Sequence, residues 1–354
     1  MESDKTLHYM QLPREVIVGK NVLARVGEVC EHLGFKGNAL VVSGPVTYPL
    51  AGERVAKSVT KSGFKVDHVI AREASEPVLN EVVAKVKKTK SNIVLGVGGG
   101  KDIDLAKLAS ARSEVQFMSI PTAASHDGIA SPYASIKGGL KPYSIRGQAP
   151  VAILGDIDVI ADSPYKLLAA GCGDIVAKYT AVKDWQLAHK LKNEYYGDYA
   201  ADLALMSAEL VTKNAKEIVQ RHLEGVRTVV EALISCGVAM SIAGSSRPCS
   251  GAEHLFSHAL DIVAGETSLH GERAGVGAVL CAYLHGSNWQ GIRYFLKEIG
   301  APSTAKELDV TDAQLVKALT IAHTLRPERY TILGETGVTE AAAERVARST
   351  GVLG

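Results

Sequence analysis

The first half of the chain alternates between short apolar runs and segments whose apolar residues recur every three or four positions. Apolar runs of about five residues are typical of strands buried on both faces, and the wider spacing is typical of helices. The pattern predicts strands at 13–19, 39–44, 64–70, 93–97, 115–120 and 151–156. Helices are predicted at about 21–33, 48–62 and 76–90, and after the fourth strand. Alternating strands and helices indicate a parallel α/β sheet, and we expect residues 128–150 to form a hairpin or other excursion from it.

From Asp162 onward the pattern is helical only. Ser163 is a helix-capping residue type, and Pro164 suits the first turn of a helix. Helical spacing then predicts helices at about 164–190, 197–222, 224–243, 250–263, 270–285, 288–299, 311–324 and 337–349. Because 354 residues exceed the size at which one core keeps growing, we expect two domains. The expected fold is a nucleotide-binding α/β domain at 1–162 followed by an all-α domain at 163–354.

Composition narrows the possible functions. The chain is 46% apolar and 22% charged with a formal charge of +1, and its basic residues are spread out, which argues against nucleic-acid binding. No apolar run reaches the roughly 18 residues of a membrane span, and the polar start lacks a signal-peptide core. The five cysteines form no C-x-x-C pair, so we expect a reduced, cytoplasmic protein. Apolar helices in the second half favour a homo-oligomer.

A glycine-rich stretch follows the predicted strand at 93–97. Gly98, Gly99 and Gly100 separate that strand from a helical segment, and Lys101 adds positive charge. A strand, glycine turn and helix in this order aim backbone N–H groups at a phosphate, and a Cβ would hold the phosphate away. The G-x-G-x-G spacing at 96–100 is neither the usual dinucleotide fingerprint nor a Walker loop. The alternative is a tight turn without a ligand.

The helical half contains a cluster of histidines. His254 and His258 are four residues apart and therefore share one helix face, and His270 precedes a predicted helix. Asp174 lies among apolar and small residues, where an unpaired carboxylate is costly. Neutral imidazoles and a carboxylate are the ligands of a catalytic zinc site, so Asp174 with two of these histidines is a candidate set. The spacing does not decide which two, and Asp174 has the alternative of pairing with Lys178 at i+4.

His126, Asp127 and Ser131 follow the predicted strand at 115–120. The Asp-Gly pair at 127–128 is a turn signal. The carboxyl ends of parallel strands are also where ligands bind, so a ligand contact and a turn are both open for these residues.

Five motifs together resemble a known family. They lie in order at 98–102, 121–128, 171–174, 246–260 and 270–272, and the run at 246–260 is the most specific. They are similar to the archaeal sn-glycerol-1-phosphate dehydrogenases, within the superfamily of glycerol dehydrogenases, iron-containing alcohol dehydrogenases and dehydroquinate synthases. The resemblance implies a Rossmann-like domain, a helical domain and an active site between them. It implies reversible NAD(P)H-dependent reduction of dihydroxyacetone phosphate to sn-glycerol 1-phosphate, the backbone of archaeal lipids.

The resemblance also implies roles for individual residues. The positions that match zinc ligands are Asp174, His254 and His270. The positions that match catalytic or substrate-contacting residues are Asp127, Asp174 and His258. The positions that match nucleotide contacts are Gly98, Gly99, Gly100, Lys101, Asp102, Thr122, Ser125 and Ser131. Iron and other divalent ions accept the same ligand set as zinc.

Two expectations come from the residues themselves. The strand that ends in Ser43-Gly44 lacks the acidic residue that repels a 2′-phosphate, so we expect both NADH and NADPH to be used. A substrate phosphate needs a cation, for which Arg247 or a lysine of the 137–141 stretch is a candidate, although Arg247 is equally compatible with a surface role. The rival functions are glycerol dehydrogenase, a dehydroquinate synthase-like lyase and a nucleotide-binding module without catalysis.

Overall fold

The computed structural model of the chain describes residues 8–136, 145–265 and 267–354. Within these residues the strands are β1 (Glu15–Gly19), β2 (Asn38–Ser43), β3 (Lys65–Ile70), β4 (Ile93–Gly98), β5 (Gln116–Pro121), β6 (Tyr133–Ala134), β7 (Ile145–Arg146) and β8 (Ala152–Asp156). Six of them form one parallel sheet in the order β1-β8-β5-β4-β2-β3. The predicted α/β sheet is therefore confirmed.

The α-helices of the described residues alternate with the strands in the first half of the chain and follow them in the second half. In the first half they are α1 (Val26–His32), α2 (Glu53–Lys61), α3 (Glu76–Thr89), α4 (Gly100–Arg112) and α5 (Ile157–Ala161). In the second half they are α6 (Tyr165–Val176), α7 (Lys178–Lys192), α8 (Asp198–Lys213), α9 (Ala215–Val219), α10 (Leu223–Ala243), α11 (Ala252–Ala264), α12 (His270–Leu284), α13 (Trp289–Glu298), α14 (Asp312–Ile321) and α15 (Glu340–Ser349). The predicted helical second half is confirmed.

Strand register brings the candidate site residues to one edge of the sheet. Val97 pairs with Ser43, and Gly98 pairs with Pro121, so β2, β4 and β5 end at nearly the same level. The glycine turn after β4 therefore lies between Gly44 and the segment that begins at Thr122. This is the edge at which parallel sheets bind ligands.

Successive strand residues enter two different cores, as the alternation of a pleated strand requires. Ala39 and Val41 of β2 pack with α1 and α2, whereas Leu40 and Val42 belong to the cluster on the opposite face. That second cluster continues without a break into the helical half. Burying each large apolar side chain contributes roughly 1.5–3 kcal/mol, so this shared core ties the helices to the sheet. The domain boundary at 162/163 stays a prediction.

Two segments expected as single helices are each divided in the structure. The segment at 164–190 breaks at Ala177, whose carbonyl accepts the Thr180 amide at 3.1 Å and its hydroxyl at 2.9 Å. The segment at 197–222 breaks at Asn214, whose side chain donates to the Leu210 carbonyl at 2.8 Å. Side chains that bond to nearby backbone groups compete with the helix, and apolar spacing does not detect them.

The predicted excursion at 128–150 contains a short antiparallel pair, in which Tyr133 opposes Arg146. It is anchored by the fully buried Lys107, whose Nζ lies 3.1 Å from Asp104 Oδ1 and 2.8 Å from the Gly128 carbonyl. The candidate phosphate-binding residues Lys137 and Lys141 lie outside the described residues.

One helix of the described residues, α10, is long and apolar enough by composition to cross a membrane, with a mean hydropathy of 1.6. In the structure 67% of its apolar window is buried, and it packs against α8 and α6. It is therefore a core helix of this fold, and its composition implies no membrane span.

Candidate active site

The three glycines between β4 and α4 have different environments. A Cβ on Gly98, which has a φ of +153°, would lie 2.0 Å from Asp102 Oδ2, and one on Gly100 would lie 1.8 Å from His126 Nε2. A Cβ on Gly99 would meet no heavy atom within 4 Å. A Cβ on Gly98 or Gly100 would thus collide with a protein side chain, whereas a Cβ on Gly99 would point into open space where a phosphate has access.

Polar side chains connect this turn to the ends of the neighbouring strands. Lys101 donates to the Ala71 carbonyl after β3 at 2.6 Å. Asp102 accepts the Thr47 hydroxyl at 2.9 Å, and Thr47 in turn accepts the Gly44 amide at 2.8 Å. Burial raises the pKa of Asp102 even though Lys101 and Thr47 favour its charged form. These contacts fix the position of the first turn of α4.

Two cavities meet at this turn. The first, of about 460 Å³, is lined by the glycine turn and the end of β2, including Gly44, Thr47, Gly99 and Ser125. The second, of about 660 Å³, is lined by Asp127, Ser131, His254, His258 and other residues of the helical half. Both cavities are lined by Gly100, Lys101, His126 and His270. A ligand that fills the first cavity would therefore reach the second beside His126 and His270.

Three side chains from separate helices converge at the second cavity, whose lining includes His254 and His270 but not the fully buried Asp174. Asp174 is on α6, His254 is on α11, and His270 begins α12. Each offers one ligand atom, and these three atoms all lie within 4.8 Å of one another. His254 Nε2 is 3.3 Å from Asp174 Oδ1. Sequence spacing left open which two histidines join Asp174. The compact group contains His254 and His270 but not His258, whose ring is 5.6 Å from that of His270.

Asp174 has no exposed surface and is surrounded by donors. Its Oδ1 lies 2.9 Å from the ammonium of the fully buried Lys178, and its Oδ2 accepts the Asp127 amide at 2.8 Å. Lys178 also lies 2.8 Å from Asp127 Oδ2. Burial alone would raise the pKa of Asp174, but Lys178 and His254 hold it well below the usual value. The i+4 pair with Lys178 is confirmed, and it coexists with the histidine cluster.

The three histidines differ in protonation. Burial lowers the pKa of His254, but its hydrogen bonds to Asp174 and Glu253 outweigh this and raise the pKa to about 9. Burial and the neighbouring charge of His254 lower the pKa of His258 to about 3 and that of His270 well below its usual value. His258 and His270 are consequently neutral at pH 7, as a metal ligand or a hydrogen-bonding partner of a substrate requires.

Comparison with known proteins identifies the family. The glycerol-1-phosphate dehydrogenase (NAD(P)+) of Methanosarcina mazei is 53% identical over 345 residues, which cover 98% of this chain and 97% of that protein. The protein of the same name from Pyrococcus horikoshii is 52% identical and is covered in full. The chain belongs to the glycerol-1-phosphate dehydrogenase family.

Broader comparisons agree with this family. The profile described as iron-containing alcohol dehydrogenase matches residues 17–164. The crystal structure of glycerol dehydrogenase from Schizosaccharomyces pombe aligns with a TM-score of 0.81 at 20% identity, covering 97% of this chain and 90% of the other. A probable glycerol dehydrogenase from Sinorhizobium meliloti aligns with a TM-score of 0.78. At this level of identity the likeness establishes the fold alone, which is the one that the resemblance implied.

Some of the residues expected at the nucleotide site line a cavity, and others lie behind its surface. Gly99, Gly100, Lys101, Asp102 and Ser125 line the first cavity, and Ser131 lines the second. Gly98 and Thr122 lie behind the cavity surface, where the Thr122 amide donates to the Gly98 carbonyl at 2.9 Å. These two positions support the turn and are not exposed to either cavity.

Arg247, the candidate for phosphate binding, is occupied by protein groups. Its Nε lies 2.6 Å from Glu194 Oε1, a second nitrogen bonds the same carboxylate, and Nη1 donates to the Tyr330 carbonyl at 2.8 Å. Two arginines of a nearby loop were not anticipated. Arg329 donates to Ser246 Oγ at 2.7 Å and to the Ser250 carbonyl. Burial, and secondly the charge of Arg326, lower the pKa of Arg329 to about 9.

Sequence analysis also missed Glu253, which contacts His254, and the second role of Lys178 as a partner of Asp127. The available signal was the placement of charged residues among apolar neighbours in the motif segments, since a buried charge needs a partner.

The raised pKa of His254 predicts how metal affinity depends on pH. Below about pH 9 the ring holds a proton that a metal ion must displace. Apparent affinity for a divalent metal ion should therefore rise about tenfold per pH unit from pH 7 toward 9 and then level off. The same proton stabilises the metal-free fold below pH 6.5, and this contribution disappears as the pH passes 9.

Chelator competition at a series of pH values measures this affinity, and calorimetry in buffers of different ionisation enthalpy counts the released proton. The chelator's own proton affinity is calibrated separately. Affinity that stays constant between pH 7 and 8.5 would contradict the assigned protonation of His254.

Proposed function

We propose that this chain catalyses the reversible NAD(P)H-dependent reduction of dihydroxyacetone phosphate to sn-glycerol 1-phosphate, with zinc bound at Asp174, His254 and His270. The product would supply the backbone of archaeal membrane phospholipids. The observation that carries the proposal is the junction of the two cavities, where the glycine turn adjoins the imidazole–carboxylate cluster. The names of relatives at 52–53% identity support the substrate and the cofactor.

The residues fit a catalytic metal centre. One anionic carboxylate and two imidazoles are the usual three protein ligands of a catalytic zinc, which leaves a position for substrate. Asp174 is held in its charged form, and His270 is neutral. When bound, the metal would polarise the substrate carbonyl, and the nicotinamide would supply the hydride.

Two side chains beside this group are assigned to the substrate. His258 lines the second cavity one helical turn after His254, and its neutral ring can donate or accept a hydrogen bond from a substrate hydroxyl. Asp127 lines the same cavity. Its carboxylate is paired with Lys178, and its amide donates to Asp174. Asp127 is therefore suited to orient a hydroxyl group of the substrate.

The substrate phosphate is assigned to the cluster of Arg247, Arg326 and Arg329, whose charges act on one another, rather than to Arg247 alone. Because two nitrogens of Arg247 are bonded to the Glu194 carboxylate, we propose that Arg247 does not contact the phosphate directly. Arg326 is half-buried, and its charge acts on His258 and Tyr133, both of which line the second cavity. Arg326 does not itself line that cavity, and we propose that its guanidinium reaches the substrate phosphate from the rim.

The first cavity is assigned to the nucleotide. Gly99 and Gly100 at the N-terminus of α4 would face the pyrophosphate, with Lys101, Asp102 and Ser125 on the surrounding wall. β2 ends in Ser43-Gly44 and contributes no carboxylate of its own, and the Asp102 carboxylate near Gly44 accepts the Thr47 hydroxyl, so both NADH and NADPH are expected. Ser131, which lines the second cavity, remains assigned as a nucleotide contact, and cytoplasmic location and homo-oligomeric state remain predictions.

Replacing Gly99 by Ala tests the nucleotide site selectively. The new Cβ meets no protein atom within 4 Å, so the fold should tolerate it, but the methyl would occupy the space in front of the helix N-terminus. KM for NADH should rise at least about tenfold, equivalent to about 1.4 kcal/mol, with little change in thermal stability. Gly19→Ala at the end of β1 is the control, because its Cβ would make only an ordinary contact at 3.7 Å. An unchanged KM in Gly99→Ala would remove the pyrophosphate from this turn.

Asp174→Asn tests the metal site. The amide keeps the shape but removes the charge that holds Lys178 and a metal, so zinc content and turnover should fall together, the latter by at least about a hundredfold. Metal analysis is run beside NADH oxidation with dihydroxyacetone phosphate. Full zinc content with full turnover would show that Asp174 is not a ligand.

Arg326→Ala tests the phosphate assignment. Loss of a charge-assisted hydrogen bond costs about 1.5–3 kcal/mol, so KM for dihydroxyacetone phosphate should rise about 10- to 100-fold. KM for unphosphorylated dihydroxyacetone and for NADH should change little. Arg345→Ala, an exposed arginine of α15, serves as a control for loss of general positive charge. Equal effects on both substrates would exclude a specific phosphate contact.

The same assays separate the rival functions. A dehydroquinate synthase-like lyase returns its hydride within one turnover, so stoichiometric NADH consumption excludes it. Preference for unphosphorylated substrate would favour glycerol dehydrogenase, and full activity of protein shown by metal analysis to be metal-free would contradict the proposed centre.

A further inference from the structure

A buried carboxylate contacts one of the proposed metal ligands from behind. Glu253 has no exposed surface, and its Oε1 lies 2.8 Å from His254 Nδ1. The same oxygen accepts the Gly251 amide at 2.5 Å, and Oε2 accepts the Thr180 hydroxyl at 2.9 Å. Both oxygens are therefore held in place by groups outside the histidine ring.

This contact selects which nitrogen of His254 faces the cavity. A charged carboxylate can only accept a hydrogen bond, so it keeps the proton of the neutral ring on Nδ1. The lone pair is then on Nε2, which is the nitrogen that lies 3.3 Å from Asp174 Oδ1. The ring is thus fixed in both orientation and tautomer for binding a metal through Nε2.

Adjacent residues of a helix do not normally face each other, so this contact needs a special local arrangement. Glu253 lies in the first turn of α11, where backbone amides lack helical partners and the helix dipole favours negative charge. Its side chain turns back toward Gly251 and across to Thr180 on α7. This position lets a residue next to His254 reach Nδ1.

A second buried carboxylate fixes the same turn from α7. Asp184, four residues after Thr180, accepts the Ala252 amide at 2.7 Å and the Ile332 amide at 2.6 Å. Its Oδ1 also lies 3.0 Å from His285 Nε2. The start of α11 is consequently held against α7 through two carboxylates, of which only Glu253 touches a proposed ligand.

We infer that Glu253 is a positioning residue for the metal centre, which orients His254 and increases its donor strength through Nδ1. The inference rests on the proposed function only in taking His254 as a metal ligand. Outer carboxylates of this kind typically change metal affinity by 10- to 100-fold when they are removed.

Glu253→Gln and Glu253→Leu test this role in stages. Gln keeps an acceptor but loses the charge, so zinc affinity should fall about tenfold. Leu removes the acceptor as well, so zinc affinity should fall about a hundredfold. Zinc alone is the probe, measured by chelator competition without nucleotide or substrate. Glu307→Gln is the control for loss of a carboxylate charge, because the exposed Glu307 carboxylate accepts the Ser303 amide at 2.7 Å and the Ser303 hydroxyl at 3.2 Å.

A second readout separates positioning from general stability. In zinc-loaded protein with 15N-labelled histidine, the Nδ1–H of His254 should give a protected proton resonance that disappears in Glu253→Leu and persists in Glu307→Gln. Lower thermal stability with unchanged zinc affinity would show that Glu253 only caps α11 and would overturn the inference. Glu253 variants that bind zinc as tightly as the wild type would overturn the inference about Glu253. A wild-type chain that binds no zinc would instead overturn the metal assignment itself.

Discussion

Asp174 carries a negative charge with no access to water, and the surrounding groups are arranged to keep it charged. The cost of burying a single carboxylate is several kcal/mol unless donors compensate for it. Lys178, the Asp127 amide and His254 supply those donors from three elements that are distant in sequence. Removing any one of them would leave the buried charge with less compensation, so the position of each element depends on the others.

Close backbone packing makes this convergence possible. A Cβ on Gly271 would lie 1.9 Å from the Ala170 carbonyl, and a Cβ on Gly171 would lie 2.1 Å from the Ala124 carbonyl. Helices α6 and α12 therefore touch each other, and α6 also touches the segment after β5, at backbone distance. Larger residues would separate these elements and move Asp174 away from His270 and from the glycine turn. The glycines of these segments are thus needed both for the helix packing and for the approach of Asp174 to His270.

The sequence predicted the parts that depend on local periodicity and left out those that depend on long-range packing. Strand order along the chain and the candidate ligands Asp174, His254 and His270 follow from spacing and motif resemblance. The role of Glu253 did not, because its contact with the neighbouring His254 exists only where α7 meets the first turn of α11. Arg326 and Arg329 were also missed, since they belong to a loop that no motif marks. Helix breaks at Ala177 and Asn214 arise from side chain–backbone bonds that apolar spacing does not register.

The charges around the cluster explain why His254 has a raised pKa in the absence of a metal. Asp127, Asp174 and Glu253 contribute three negative charges, and Lys178 contributes one positive charge. The remaining two negative charges equal the charge of one divalent cation, so a bound ion would make this buried group neutral. Without the ion, protonation of His254 supplies one of the missing positive charges, and the ring holds that proton up to about pH 9. The same electrostatic field that retains the proton would therefore attract the metal, and the two compete for the space between Asp174 and His254.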